Sequence, residues 1–231
     1  MSDFFVHNGQ YYKKLGTDKV YTIPVEMFHG YWKDPEHFTN FGDEDNNNPD
    51  TYIACPEKDK DLTDIVKKYC SETDKILEIG CNVGRNLDCL YRAGFTNLSG
   101  LDINKEALKL GIKTFPDTVG KIDLIHSSIE DLMWRPTGDT YDMIFTMGVL
   151  MHLHPTSMWV TTLFYQRTNK FLITAEDEWE YSNKAIPRNY KTIFEQSGFT
   201  QVEEKYTEYE NNIDNSGDIK ILYRIFKKNE T

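Results

Sequence analysis

No apolar run in the 231 residues approaches the roughly 20 that a bilayer-spanning helix needs. The amino terminus, Met-Ser-Asp-Phe-Phe-Val-His, has neither a basic flank nor an apolar core. Export and membrane insertion are therefore not expected, and the chain reads as cytoplasmic. Cysteine is scarce, with four residues at positions 55, 70, 81 and 89 and no C-x-x-C spacing, so free thiols are expected rather than a disulfide framework. Two phosphate-binding signatures are also missing. There is no G-x-x-x-x-G-K-[ST] run, and the second and third glycine positions of a G-x-G-x-x-G dinucleotide turn are filled by Asn82 and Arg85. Basic charge is short: 26 Lys and Arg stand against 37 Asp and Glu, a formal charge of -11. Nucleic-acid binding draws most of its affinity from cations neutralising phosphates, and Lys13-Lys14, Lys67-Lys68 and Lys227-Lys228 are isolated pairs. This composition argues against DNA and RNA as partners.

What is present is the pattern of one α/β domain with an appendage, at 39% hydrophobic content. Residues 1–56 are rich in aromatics and loop formers, and Gly42-Asp-Glu-Asp-Asn-Asn-Asn-Pro-Asp50 cannot hold regular structure for long. This segment reads as an irregular appendage or lid, and 57–231 as the main domain. A helix from Glu57 precedes alternating elements. Strands are expected near 75–79, 97–102, 121–126, 141–147 and 169–175, with helices near 85–93, 104–114, 156–166 and 188–197 and a short crossover near 129–133. Such alternation predicts a parallel sheet with right-handed crossovers. Two further strands, near 200–208 and 218–227, flank Asn211-Asn-Ile-Asp-Asn-Ser-Gly217 and read as an antiparallel edge hairpin.

The informative stretch is Lys75-Ile-Leu-Glu-Ile-Gly-Cys-Asn-Val-Gly-Arg-Asn86, followed by Leu98-Ser-Gly-Leu-Asp-Ile103. It couples a buried strand, a glycine turn, a helix start and a second strand ending in an acid. With the pyrophosphate signatures gone, Glu-x-Gly-x-x-x-Gly and the later Asp102 remain, an arrangement suited to an adenosyl group. It resembles the S-adenosyl-L-methionine site of class I methyltransferases. The resemblance implies a Rossmann-like seven-stranded sheet, S-adenosyl-L-methionine as cofactor, and methyl transfer as the activity. Carried over residue by residue, Glu78, Gly80, Cys81, Asn82, Gly84 and Asn86 match the glycine motif and helix start around the methionine part. Asp102 and Ile103 match the ribose acid and its neighbour. Ser128 and Ile129 take the adenine position, where the family usually has an acid, and Met147 follows the fourth strand. A closer likeness joins Asn82-Val-Gly-Arg-Asn-Leu87, Phe145-Thr-Met-Gly-Val-Leu-Met-His152 and Phe41-Gly-Asp-Glu44 to the methylases associated with pseudaminic acid biosynthesis. The expected acceptor is a small molecule or a glycan.

Ligands in open α/β sheets sit beyond the carboxyl ends of the strands, where Glu78, Asp102, Ser128, Met147 and Glu176 all fall. Glu78 and Asp102 would equally serve as plain strand-end acids, but their spacing around the glycine motif favours the cofactor. Methyl transfer from a sulfonium needs alignment above all, and a base only for a hydroxyl or protonated amine. His152 and His154 bracket the loop after the fourth strand; each is either a base or a hydrogen-bonded structural residue, and no third ligand accompanies them toward a metal. Glu176 opens Glu-Asp-Glu-Trp-Glu180 and either faces the acceptor or belongs to a solvated acidic loop. Tyr31, Trp32, Trp134 and Trp179 suit stacking on a sugar or covering the sulfonium, and each also suits ordinary packing. Arg188-Asn189 stands where the resembled methylases have a basic-acid pair. Two other functions fit the same cofactor site: a catalytically idle cofactor-binding subunit, or another adenosyl enzyme such as an aminopropyl transferase.

Overall fold

The computed structural model describes residues 4–7, 10–15, 19–34, 48–53, 56–134, 139–180, 185–209 and 219–230. The expected turn over 211–217 and the Phe41-Gly-Asp-Glu44 motif lie outside these. The appendage, expected to be irregular, carries regular structure. Strands β1 (Phe4–His7), β2 (Gln10–Leu15) and β3 (Lys19–Ile23) form an antiparallel three-stranded sheet. Helix α1 (Val25–Lys33) follows, entered through Pro24 at the capping position. The Tyr-, Thr- and Val-bearing segments 10–15 and 19–23 favour extended backbone, and proline's fixed φ suits the switch from strand to helix. Of the loop 42–50, Pro49 and Asp50 enter a 3₁₀ turn, Pro49–Tyr52.

The main domain begins with α2 (Pro56–Tyr69) and then alternates as expected: β4 (Ile76–Ile79), α3 (Arg85–Arg92), β5 (Leu98–Asp102), α4 (Lys105–Thr114), β6 (Asp123–His126), α5 (Ile129–Trp134), β7 (Tyr141–Met147), α6 (Val160–Arg167), β8 (Thr168–Glu176), α7 (Tyr190–Gln196), β9 (Phe199–Tyr209) and β10 (Ile219–Lys228). The seven strands lie in the order β6-β5-β4-β7-β8-β10-β9. The first five are parallel and β10 is antiparallel to both of its neighbours. β4 is buried at every position, the signature of a strand flanked on both edges and covered on both faces.

Two apolar layers close the sheet. Leu62 and Val66 of α2, Leu87 and Leu90 of α3 and Leu108 of α4 pack on one face with Phe145 and Tyr223. Ile129 and Met133 of α5, Val160 and Phe164 of α6 and Phe194 of α7 pack on the other. A buried side chain of this size contributes about 1.5–3 kcal/mol, so these layers fix the strand ends in space. The helix expected over 156–166 starts later, because Pro155–Ser157 forms a separate 3₁₀ turn capped by His154. The chain runs outward from β4 to β5 and β6, then returns to β7 on the other side of β4. Such a reversal opens a crevice at the carboxyl ends of the strands.

Candidate functional site

The crevice is built from the loops after β4, β5 and β7. At Gly80 the backbone adopts φ +73°, and a β-carbon there would meet Val149 Cγ2 at 2.3 Å. Glycine is thus required twice over, by conformation and by contact. Asn82 takes the left-handed conformation at φ 49°, which asparagine tolerates better than most residues. Gly84, at φ +74°, caps α3. The turn is anchored from β5, where the carbonyl of Leu101 accepts the N–H groups of Gly80 at 2.7 Å and Cys81 at 2.9 Å. Cys81 lies beneath the turn, and burial pushes its thiol well above the usual range.

Asp102 stitches two loops together. One carboxylate oxygen accepts the Asn82 N–H at 2.7 Å and the other accepts the Asn104 N–H at 2.7 Å. Asn104 in turn caps α4 by accepting from the N–H groups of Glu106 and Ala107, both at 3.0 Å. Burial lifts the Asp102 carboxyl to about 6, against the opposing pull of those backbone N–H groups. Each carboxylate oxygen has a second lone pair, so the group retains capacity for hydroxyl donors. Behind the turn, Glu78 accepts the Asn86 amide at 2.6 Å, and the same amide nitrogen lies 3.7 Å from Met147 Sδ. Glu78, Asn86 and Met147, three of the expected cofactor residues, are thereby in one contact chain. Ile103 offers its carbonyl to His126 Nε2 at 3.1 Å.

At the adenine position the Ser128 hydroxyl accepts the Asp131 N–H at 3.1 Å at the start of α5, and Ile129 is buried in the apolar layer. Two features of the crevice fit a polar ligand. Asn82 Oδ1 is buried with no hydrogen-bond partner among the described residues, and a β-carbon at Gly148, φ +62°, would meet nothing within 4 Å.

The loop after β7 is gripped from two sides. Glu176, expected either to face the acceptor or to lie in a solvated acidic loop, is fully buried. Its Oε1 accepts the Thr146 hydroxyl at 2.8 Å, and its Oε2 accepts the N–H groups of Val149 at 2.9 Å and Met151 at 3.3 Å. Burial raises the Glu176 carboxyl to about 7, though these donors pull the other way. Opposite it, the Arg188 guanidinium donates to the carbonyls of Leu150 at 2.8 Å, Met151 at 3.1 Å and Leu153. A carboxylate thus takes the loop's N–H groups while a guanidinium takes its carbonyls. Asn189, in place of an acid, keeps the helix-capping duty by accepting the Thr192 N–H at 2.8 Å.

His152 sits within that gripped loop, half-buried, its ring 4.4 Å from the ring of Trp32 on α1. His154 is structural. Its Nε2 meets the Ile23 carbonyl at 2.8 Å and its Nδ1 accepts the Thr156 N–H at 3.2 Å, which fixes the Nε2–H tautomer. Burial holds its pKa below the ordinary value. Of the aromatic rings expected at the mouth, Tyr31 packs in a small core with Ile23, Phe28 and Ile186, beside Trp32. Trp134 is 78% exposed and meets Trp159, while Trp179 meets Tyr206 on the edge hairpin. Among the described residues, no group of three or more His, Cys, Asp and Glu is placed to hold a metal ion, and no helix is long and apolar enough to cross a membrane.

Sequence reasoning missed the Arg188 clamp, the Asn104 cap and the helical form of α1, though it placed Tyr31 and Trp32 near the mouth. The cap was readable, since an Asx residue directly before the apolar periodicity of α4 is a helix-start signal.

Residues 76–165 match the family model described as a methyltransferase domain. Among curated proteins, the ubiquinone biosynthesis O-methyltransferase of Vibrio parahaemolyticus is 34% identical over 79 residues, which cover 34% of this chain and 33% of that protein. The match thus spans about a third of the relative's length. Among solved structures, the magnesium protoporphyrin IX methyltransferase of Synechocystis with bound S-adenosylhomocysteine has a TM-score of 0.66 at 12% identity, covering 89% of this chain and 100% of that one. The 1,6-didemethyltoxoflavin-N1-methyltransferase of Burkholderia thailandensis has a TM-score of 0.63 at 10% identity, with 100% of both chains covered. At these identities the structural likeness speaks to the fold.

Proposed function

We propose that the protein is an S-adenosyl-L-methionine-dependent methyltransferase acting in the cytoplasm on a small-molecule or glycan acceptor. The observation that carries this reading is Asp102 at the end of β5, bonded to Asn82 in the glycine turn and to Asn104, with acceptor capacity left over. Glu78, Gly80, Cys81, Asn82, Gly84, Asn86 and Met147 would hold the methionine part, Asp102 and Ile103 the ribose, and Ser128 and Ile129 the adenine through backbone groups. The orphaned Asn82 Oδ1 fits an ammonium or hydroxyl donor of that ligand. The cofactor, when bound, supplies an electrophilic methyl group on a sulfonium.

The chain's own task is then to align an acceptor and receive its proton. His152 is the group we assign to the proton, because it lies on the loop after β7 that Glu176 and Arg188 fix, with its ring against Trp32. Glu176 serves as a positioning residue rather than a catalytic one. The Trp32 indole nitrogen, buried with no partner among the described residues, supports an acceptor that presents an oxygen. The likeness to pseudaminic acid-associated methylases supports a sugar-type acceptor, and the charge of -11 argues against nucleic acid. Titration calorimetry with S-adenosylhomocysteine should show micromolar binding, on the order of -8 kcal/mol. No heat and no thermal shift at millimolar ligand would sink the proposal.

A further inference from the structure

The appendage meets the main domain on both of its layers. On one layer, His29 Nε2 lies 2.9 Å from Glu130 Oε1 of α5, the helix opened by Ser128 and Ile129. One turn further along α1, Trp32 lies against His152, and the Ile23 carbonyl just before α1 accepts from His154. On the other layer, Arg85 at the start of α3 donates to the Tyr52 carbonyl at 3.2 Å. His29 and Trp32 are three positions apart, so they share one face of α1. That single face therefore touches both the helix assigned to the adenine end and the loop assigned to the acceptor end.

We propose that α1 is a clasp over the acceptor side of the mouth, that it must lift for ligands to exchange, and that the His29–Glu130 pair fastens it. The site assignment rests on the cofactor reading above, while the fastening rests on the contacts alone. The fastening is a charge pair between α1 and α5. α1 buries only Phe28 and Tyr31 fully, and its small core with Ile23 and Ile186 is separate from both main layers. Local opening draws on segments with few buried apolar contacts, and α1 is such a segment.

The pair also makes the clasp sensitive to pH. His29 is raised above its ordinary value, first by its hydrogen bond to Glu130 and against desolvation, with further help from the charges of Glu130, Asp131 and Glu26. Across the gap, Glu130 is lowered, its bonds to His29 and Ser157 outweighing burial. On the loop after β7 the further titratable neighbours are His152, whose ring meets Trp32, and His154, which burial holds below its ordinary value. A histidine whose folded value is raised holds its full contribution below about 6.5 and loses it as pH climbs through the raised value. The clasp is fastened at mildly acidic pH and loosens toward alkaline pH.

The test is amide hydrogen exchange of residues 25–33 from pH 6 to 9, corrected for intrinsic rates, alongside the dissociation rate of S-adenosylhomocysteine. Wild type should open more readily as pH rises. His29→Gln should exchange roughly two- to fivefold faster than wild type at pH 6 and show no pH response, the scale expected of a partly exposed ion pair. His29→Lys, which keeps a cation throughout the range, should remain fastened at pH 9, and this variant guards against simple misfolding of the glutamine form. Dissociation of the ligand should follow the same pattern. Exchange that is independent of pH in wild type, or identical in wild type and His29→Gln, overturns the clasp. Absence of any ligand binding would count against the cofactor reading alone, since the exchange data still decide whether α1 is fastened by this pair.

Discussion

Replacing Glu176 by Gln should make the protein more stable at neutral and alkaline pH, not less. The carboxyl is fully buried and sits at about 7 instead of the ordinary 4.5, so its folded form holds a proton that the unfolded chain has lost. Between those two values the native state binds more protons than the unfolded one, and the free energy of unfolding falls as pH rises. At 1.36 kcal/mol per pKa unit, complete ionisation of the buried group costs about 3 kcal/mol. The glutamine keeps the shape. Its oxygen can accept from Val149 and Met151, and its amide can donate to the Thr146 hydroxyl, which today donates to the carboxylate at 2.8 Å. The difference in unfolding free energy between Glu176→Gln and wild type should therefore climb by about 3 kcal/mol from pH 4.5 to 8 and level off beyond. Urea denaturation of both proteins at half-unit pH intervals measures it. A difference that stays flat between pH 5 and 8 refutes the assignment of Glu176 as a buried, reluctantly ionised group.

Asp102→Ala should weaken S-adenosylhomocysteine binding by about 1.5–3 kcal/mol, the scale of charge-assisted hydrogen bonds, while the variant still folds; unchanged affinity by calorimetry would remove Asp102 from the cofactor site. Gly80→Ala should lose about 2–4 kcal/mol, because it combines a positive φ with a β-carbon only 2.3 Å from Val149, and a melting temperature within a degree of wild type would show that the turn adapts. Once an acceptor is found in a panel of hydroxylated small molecules and sugars, His152→Ala should lower turnover by about 10²–10⁴ with cofactor affinity near wild type. A joint loss of cofactor binding and thermal stability would assign His152 to structure instead.

Much of this was legible from the residues, and for a physical reason. A buried parallel strand ending in a glycine turn has few alternatives, so β4, the turn at 80–84 and the acid ending β5 followed from local pattern. The appendage did not, because short strands and a nine-residue helix carry weak local signals and depend on what they pack against. Glu176 shows the same limit at a single residue. An acid at a strand end is placed equally well to face a ligand or to bind the neighbouring loop, and the choice turns on Val149, Met151 and Thr146, whose approach only the folded sheet determines. The His29–Glu130 contact joins positions 101 residues apart, beyond any periodicity.

The two buried strand-end acids share a plan that sets fold stability against ligand binding. Asp102 ends β5 and grips the turn after the adjacent β4; Glu176 ends β8 and grips the loop after the adjacent β7. Both are raised by burial, to about 6 and about 7. Protonation of either is favoured by the fold, so the ligand-free protein should gain stability as pH falls from 7 toward 5. The same protonation removes an ionised acceptor from the proposed ribose site, so affinity for S-adenosylhomocysteine should fall through about pH 6 over the same interval. Opposite trends in one pH range are hard to produce by general acid damage, which lowers both together. Paired denaturation and calorimetry between pH 5 and 7.5 test the plan. Affinity that holds steady down to pH 5 would mean that the charge on Asp102 is not what the ligand uses.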